Sequence, residues 1–549
     1  MKKTILIFFM FIIFSLLLSQ NPQWTWAINS GMDNYNYGYG MRVDTNGNML
    51  WVTSAGDSVL DMGFSKSVDS NGYSYVTGYF SDIVAFDSFT LTSVGGYDIF
   101  IAKLDAEGNW LWVKSAGSSN YDYSHSISVD SSGNSYITGF FSDTATFGSF
   151  TLTSVGGYDI FIAKLDLNGN WIWAKSSGGI GSDIGYGISV DANENSYVTG
   201  WFCDPANFGS FTLTSILGYD IFVAKLDAEG NWLWATSAGS GSGGEMGRSI
   251  SVDENGNSYV IGNFKNEANF GTLSLNSNGE FDIFVAKLDA DGNWLWAKRA
   301  GGSDFDIGEG ICIDLNGNSY VTGSFKDSST FGNTTFTSNG GSDIFIAKLD
   351  VNGNWQWAKQ VGGNGNDTGF CINIDEYSNS YVTGWFNDII TIGETTLTSS
   401  GSADIFIAKL DSGIFVDFSA NPTTGYYPSL EVNFTDESNG YISNWFWDFQ
   451  NDGIYDSFEQ NPNFTYNDAG VYPCRSGDTI LPGRASVLII NRGSDTAYLA
   501  PNDISDEDVE SYGIPLEPNN WVELNIEETE WKIKISSGPV VVIEMGIGA

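Results

Sequence analysis

Short apolar runs separated by Gly, Asn and Asp fill the chain from residue 20 onward, and they return in one order with a period near 61 residues. The string D-I-F-[IV]-A-K-L-D begins at Asp98, Asp159, Asp220, Asp282, Asp343 and Asp404, at intervals of 61, 61, 62, 61 and 61 residues. Each unit reads G-I-S-V-D, a D-x-x-G-N turn, S-Y-V-T-G-x-F, a short T-L-T-S run, D-I-F-I-A-K-L-D, a second turn, and N-W-L-W-A-K. Runs this short, rich in β-branched and aromatic residues and bounded by turn formers, predict four main strands per unit joined by hairpins. Ile99, Phe100, Ile101, Ala102 and Leu104 are apolar on both strand faces, as in a strand covered on two sides. Trp110 and Trp112 share one face of their strand and can fill space against a neighbouring unit.

A repeat of this length predicts stacked sheets, and the ends of the repeat region predict how the stack finishes. The last unit stops at Leu410-Asp411 without its Trp strand, while an orphan Trp strand, Gln23-Trp24-Thr25-Trp26-Ala27, stands at the other end. Supplying the missing strand from the N-terminus would close a ring and remove the exposed edges of an open stack. The expectation is a β-propeller over residues 20–412 with six full blades. Met41-Arg42-Val43-Asp44-Thr45-Asn46-Gly47-Asn48 starts a further unit, reads like G-I-S-V-D plus its turn, and then passes directly to Met49-Leu50-Trp51-Val52. It is expected to be a remnant, and six or seven blades both remain open.

The N-S-Y-V-T-G, D-I-F-[IV]-A-K-L-D and N-W-x-W-A-K strings resemble those of bacterial SBBP-type β-propeller repeats, over about residues 22–411. The resemblance implies a propeller scaffold of secreted and surface proteins and implies no defined activity. From residue 413 the composition changes. Trp445-Phe446-Trp447-Asp448-Phe449 and Asn461-Pro462-Asn463-Phe464-Thr465-Tyr466, followed by Ala469-Gly470-Val471-Tyr472, resemble a PKD domain, which implies an Ig-like β-sandwich used as spacer or contact module. Pro473-Cys474-Arg475 interrupts that pattern, so residues 413–474 are expected to form a truncated PKD-like domain. Residues 475–549, with runs such as Val487-Leu488-Ile489-Ile490, are expected to form a small β domain with a faint similarity to accessory β domains of phage virions. The fold class expected is all-β throughout.

Charge and the N-terminus place the chain outside the cell. Lys2, Lys3, an apolar stretch from Ile5 to Leu18 and a small residue at Ser19 read as a signal peptide over residues 1–19. No later segment is apolar enough to span a bilayer, so a secreted or cell-surface monomer with no membrane insertion after signal removal is expected. A net charge of −43 disfavours nucleic acid and anionic lipid as partners and favours divalent cations. Cys203, Cys312, Cys371 and Cys474 show no paired spacing or metal motif and are expected to be small core residues.

Catalytic chemistry has little sequence support. The single histidine, His125, is expected to be an ordinary surface residue, and no nucleophile elbow, zinc motif or Cys/His pairing occurs. The D-x-x-G-N-W turns, such as Asp105 to Trp110, resemble the Asp-box of sialidase propellers, but the Gly is out of register and hairpin chemistry explains them. Calcium is the expected ion: Asp448 to Glu459 matches an EF-type loop, with Asp448, Asp452, Asp456 and Glu459 as ligands and Gly453 at the sharp turn. Lys103, Lys164, Lys225, Lys287, Lys348 and Lys409 recur once per unit and are expected to offset nearby acids. The position between T-G and F varies instead, as Tyr79, Phe140, Trp201, Asn263, Ser324 and Trp385. Tyr79, Phe140, Trp201 and Trp385 could form an aromatic platform for sugar rings or a protein contact, or could serve blade packing. The function expected is non-enzymatic binding or adhesion, with polysaccharide or a surface protein as partner. A glycan-active hydrolase or lyase and a structural surface component are the alternatives.

Overall fold

A computed structural model of the chain describes residues 22–30 and 61–412, apart from 240, 242–243, 376 and 401–402, the strands at 39–43 and 49–54, and separate segments among 4–6 and 418–543. It falls into two compact units, residues 19–412 and residues 413–549 together with 1–18.

The repeat unit is a four-stranded antiparallel sheet. In the first, Met62–Val68, Ser74–Phe86, Phe89–Leu104 and Trp110–Ala116 pair in chain order. The arrangement recurs in five more units, which begin at Tyr123, Ile184, Met246, Ile307 and Asp367; pairing of Gly301 and Gly302 with Thr330 and Ser329 joins the fourth to the fifth. The D-I-F-I-A-K-L strand lies third, and in the second sheet Asp159–Leu165 is buried along its whole length. A strand covered on both faces needs apolar residues on both, which is what the string supplies.

Contacts between units come from the same residues in each repeat. Tyr136 is fully buried between two sheets, and its hydroxyl reaches Asp130 Oδ2 at 3.2 Å and the Glu194 carbonyl of the next unit at 3.5 Å. The recurrent lysines lie over these tyrosine rings, with Lys164 Nζ 4.8 Å from the Tyr136 centroid and Lys225 Nζ 4.7 Å from that of Tyr197. The expectation that they offset acids therefore holds for Lys164 with Glu194 and Lys409 with Asp411, and the shared role is cation–π contact. The first strands of neighbouring sheets lie side by side: the Ile127 N–H donates to Ser65 Oγ at 3.2 Å, and the Ile188 N–H to Ser126 Oγ at 3.3 Å.

The N-terminal strand completes the sixth sheet. Gln23–Ser30 pairs antiparallel with Asp404–Asp411, from Gln23 opposite Asp411 to Ser30 opposite Ile405. It takes the place that Trp110–Ala116 holds in the first sheet, as the orphan Trp strand predicts. No strand pairing joins the sixth sheet to the first among the described residues.

The remnant is a different piece of the repeat from the one expected. Tyr39–Val43 pairs with Met49–Ser54, with Arg42 opposite Trp51, Val43 opposite Met49, and a shift between them. That is the register of the outer hairpin, where Lys103 faces Trp112 and Leu104 faces Trp110 across the same shift. The first hairpin of a unit runs without a shift from Lys66↔Val76 to Val68↔Ser74. The surviving strands are thus equivalent to the third and fourth, and the G-I-S-V-D comparison is corrected by the position of the bulge.

In the other unit, Phe418–Asn421, Leu430–Asp436 and Asn463–Tyr466 form a three-stranded antiparallel sheet. Trp447–Asp448 pairs with Arg475–Ser476, and Thr4–Leu6 pairs with Thr424–Tyr426. Ala485–Asn491 lies between Trp521–Ile526 and Val540–Ile543.

Candidate functional site

The first strand of every sheet carries an irregularity at one place. Pairing skips a residue there, which throws Phe64, His125, Tyr186, Arg248, Glu309 and Phe370 out of the ladder. Such bulges re-aim the extra side chain. The glycine of T-G-x-F makes room for the bulge: a Cβ on Gly200 would stand 1.9 Å from the Ile184 carbonyl oxygen.

These re-aimed side chains meet in sequence order. Phe64 and His125 have ring centroids 4.9 Å apart, and His125 and Tyr186 4.8 Å apart. The Arg248 guanidinium lies 5.2 Å from the Tyr186 centroid and 3.7 Å from Glu309 Oε2, and its Nε donates to Asn263 Oδ1 at 3.3 Å. The first three members of the arc are aromatic, Arg248 and Glu309 form an ion pair, and the sixth, Phe370, is again aromatic and exposed.

His125 is therefore a correction to its expected surface role. It sits in Tyr123–Val129 between two rings, and its Nε2 is covered without a hydrogen-bond partner. Burial, with the Arg248 charge adding to it, holds its pKa at about 3, so the imidazole is neutral at any ordinary pH. Burial raises the Glu309 carboxyl above its usual range, and Arg248 opposes that shift.

A second aromatic layer adjoins the arc in the first three units. Tyr79 meets Tyr123 at 4.3 Å and Tyr97 at 4.9 Å, Phe140 meets Tyr158 at 4.6 Å, and Trp201 meets Tyr219 at 4.2 Å. Phe140 and His125 lie 5.7 Å apart, which joins the two layers. Of the expected platform residues, Tyr79, Phe140 and Trp201 are buried as its base, and Trp385 is half-buried with no ring contact to them. Tyr121 and Tyr219, 43% and 40% exposed, carry the accessible aromatic surface. Val94, Ile216 and Leu217, in the long third strands, and Val155, in the loop before Asp159–Leu165, also stand exposed. In the fourth and fifth units the T-G-x-F position is Asn263 and Ser324, so the polar half continues in this layer.

Two further sets of recurrent carboxylates serve the fold. An acid before each first strand is buried: Asp61, Asp122, Asp183, Glu245, Asp306 and Asp367. Asp122 accepts from the Ser118 N–H at 2.6 Å, the Ser118 hydroxyl at 2.7 Å and the Ser142 N–H at 3.1 Å, which pins two loops. Burial pushes Asp183 and Asp306 up to about 7, against those hydrogen bonds. Asp105 accepts from the Glu107 N–H at 3.0 Å and the Asn109 N–H at 2.8 Å, and Gly108 has φ +89°, so the D-x-x-G-N turn is hairpin chemistry.

Among the described residues no group of three or more His, Cys, Asp or Glu is arranged to hold a metal. Asp448 lies in a two-residue strand, Glu459 is exposed, and Asp452 and Asp456 lie outside the described residues. Cys203 and Cys312 are half-buried free thiols, but Cys371 is exposed, which corrects the expectation that it is a core residue; Cys474 lies outside the described residues.

Sequence reasoning missed Tyr186, Arg248 and Glu309. Their signal was a position that changes from unit to unit at the repeat period, inside the recurring [GS]-x-[SGC]-[IK]-[SCN]-[VI]-D.

The β-propeller repeat model SBBP matches residues 111–139 and 295–324. An uncharacterized WD repeat-containing protein, L264, of Acanthamoeba polyphaga mimivirus is 24% identical over 358 residues, covering 52% of this chain and 26% of that protein. Regulatory protein FlaEY of Caulobacter vibrioides is 29% identical over 141 residues, 25% of this chain and 15% of that protein. The chain thus spans about a quarter or less of these relatives' lengths. Among solved structures, a glycoside hydrolase family 43 arabinoxylan arabinofuranohydrolase from Bacillus subtilis is similar at TM-score 0.26 and 12% identity, covering 77% of this chain and 92% of that one. A DUF4221 family member from Bacteroides vulgatus is similar at TM-score 0.29 and 10% identity, covering 71% and 97%. Two stretches of this all-β chain carry β-propeller repeats of the SBBP type.

Proposed function

We propose that the chain is an exported, non-enzymatic binding protein whose propeller presents the aromatic surface of its first three units to a polysaccharide. The observation that carries this reading is the coherent divergence of the units. Residues that hold the sheets together repeat, while Tyr97, Tyr121, Tyr123, Tyr158 and Tyr219 gather around Tyr79, Phe140 and Trp201 in the first three units, with Phe281 and Phe305 continuing the series 5.8 Å apart after the third. Exposed tyrosines on a buried aromatic base offer flat faces for sugar rings at low entropic cost, and adjacent units repeat the contact along a polymer. The ring itself is read as six full blades plus a half-blade, with the PKD-like segment as a spacer.

A glycan-cleaving alternative requires two carboxyl groups flanking the bond at ~5–9.5 Å. Along the arc the described residues bring one acid, Glu309, and it is paired with Arg248.

The test is retention of the mature chain on insoluble xylan, cellulose and chitin, with reducing and unsaturated ends measured in the supernatant. The expected outcome is retention without products, reduced at least tenfold by joint Tyr121→Ala and Tyr219→Ala substitution with melting unchanged. Soluble products, or retention indifferent to both tyrosines, would overturn the proposal.

A further inference from the structure

The acid of the D-I-F string in the third strand of each unit, from Asp98 through Asp159, Asp220, Asp282 and Asp343 to Asp404, is buried to within 3% exposure. In every unit its Oδ2 accepts the backbone N–H four residues earlier, at 2.7 Å from Val94 and 3.1 Å from Val155 in the first two. One such bond does not satisfy a buried carboxylate. What else approaches it depends on the residue that the fourth strand sets opposite the Phe of D-I-F.

In the fourth, fifth and sixth units that residue reaches the acid. Arg299 Nη1 donates to Asp282 Oδ2 at 2.8 Å. Gln360 Nε2 donates to Asp343 Oδ2 at 2.7 Å and to the Thr337 carbonyl at 2.8 Å. Asn29 Nδ2 bridges Asp404 Oδ2 and the Thr398 carbonyl, both at 3.2 Å. A carboxylate and a backbone carbonyl thus converge on one small volume, and in three units a cationic or N–H-rich side chain fills it.

In the first three units the same register position is Ser115, Ser176 and Ser237, opposite Phe100, Phe161 and Phe222. Serine is too short to span the gap, and none of these hydroxyls bonds to Asp98, Asp159 or Asp220. The Oδ1 atoms of all three acids are buried without a hydrogen-bond partner, as are those of Asp282 and Asp343, so the difference between the two sets of units lies at Oδ2. A second buried acid crowds the same place: a Cβ on Gly178 would stand 2.8 Å from both Asp159 Oδ1 and Asp183 Oδ2. By register Thr92, Thr153 and Thr214 supply the carbonyls equivalent to those of Thr337 and Thr398. The serine units keep the oxygen donors and lose the group that offset them.

We propose that each of the first three units takes up a calcium ion in the volume that Arg299, Gln360 and Asn29 fill in the other three. The ligands are the carboxylates of Asp98, Asp159 and Asp220, the hydroxyls of Ser115, Ser176 and Ser237, the carbonyls of Thr92, Thr153 and Thr214, and water. All are oxygen donors, as a hard cation requires, and Asp183 beside Asp159 adds a second negative charge in the second unit. With one ligating carboxylate per ion the affinity falls in the ~10⁻⁴–10⁻³ M range of extracellular calcium modules. These sites are separate from the EF-type loop at Asp448 and from the aromatic surface.

The experiment is calorimetric titration of the full mature chain with calcium chloride in sodium chloride buffer, alongside the joint variant Ser115→Gln, Ser176→Gln and Ser237→Gln and the single variant Gln360→Ser. The glutamines copy the solution already present in the fifth unit. The expected result is about three fewer saturable ions in the joint variant, loss of the calcium-induced rise in melting temperature, and one additional ion in Gln360→Ser. Equal stoichiometry in the wild type and the joint variant overturns the proposal. If the joint variant does not fold, Gln360→Ser decides alone: no added ion overturns it. Ions bound equally by all three proteins belong to other acids.

Discussion

Trp112 donates its indole N–H to the Leu167 carbonyl at 3.2 Å, across the boundary between the first and second units. Trp173, Trp234 and Trp296 do the same to Ala228, Ala290 and Val351, so in the first four units one indole ties the sheet to a turn of the next. The turn glycine lies directly on that ring: Gly169 has φ +78°, and a Cβ on it would stand 2.9 Å from Trp112 Cδ2.

Gly169→Ala is therefore expected to destabilise the propeller twice over. Left-handed strain alone costs about 1–2 kcal/mol, and the Trp112 ring must also shift. The check is a lower denaturation midpoint. Ala at Ala106, in the same kind of turn but at its second position, already shows that the turn tolerates the residue itself.

Deleting residues 20–28 should remove most of the strand that pairs with Asp404–Asp411. The exposed edge then invites unfolding of the sixth sheet or pairing with another chain. Limited proteolysis should cut first between residues 367 and 411, and a melting profile identical to that of the intact chain would refute the expectation.

Stability should fall as pH rises through neutrality in calcium-free buffer. Burial raises Asp122 and Asp367 to about 6 and Asp183 and Asp306 to about 7, from 3.8. Between pH 4 and 7 the folded chain thus holds protons that the unfolded chain has released, and this contribution disappears above the folded pKa values. Asp105 works in the opposite sense: the Asn109 side chain and backbone N–H groups hold its carboxyl low, and that contribution disappears as pH falls below the usual carboxylate range. Melting should be higher at pH 5 than at pH 8, and Asp183→Asn with Asp306→Asn should flatten the slope. A rise in melting temperature from pH 5 to pH 8 would contradict it.

The single histidine makes a clean reporter. With its pKa held at about 3, His125 should show constant imidazole proton shifts from pH 5 to 8. A titration near 6.5 would place the ring in water and remove it from the arc.

The sheets and the N-terminal strand exchange were legible because a full period of strings carries its own register, and a missing Trp strand at one end matched a spare one at the other. The candidate site was legible only in part. Tyr79, Phe140 and Trp201 stood out as large residues at a variable position, but their burial depends on Tyr97, Tyr123 and Tyr158 from other strands. His125 was hidden because the bulge that re-aims it is a one-residue pairing shift between Ser124 and Ser126, and strand periodicity does not encode which residue steps out. The remnant hairpin shows the same limit: only the shift between Arg42 and Val43 identifies which half of a unit it represents.

The strand that completes the sixth sheet also determines how the molecule carries load. Gln23 and Asp411 face each other at one end of an antiparallel ladder, so chain entering at residue 23 and chain leaving at residue 411 pull on the same rung. Tension between them opens the hydrogen bonds one at a time rather than shearing them together. Under traction this seam yields first, at low force, while the sheets from 62 to 361 stay intact.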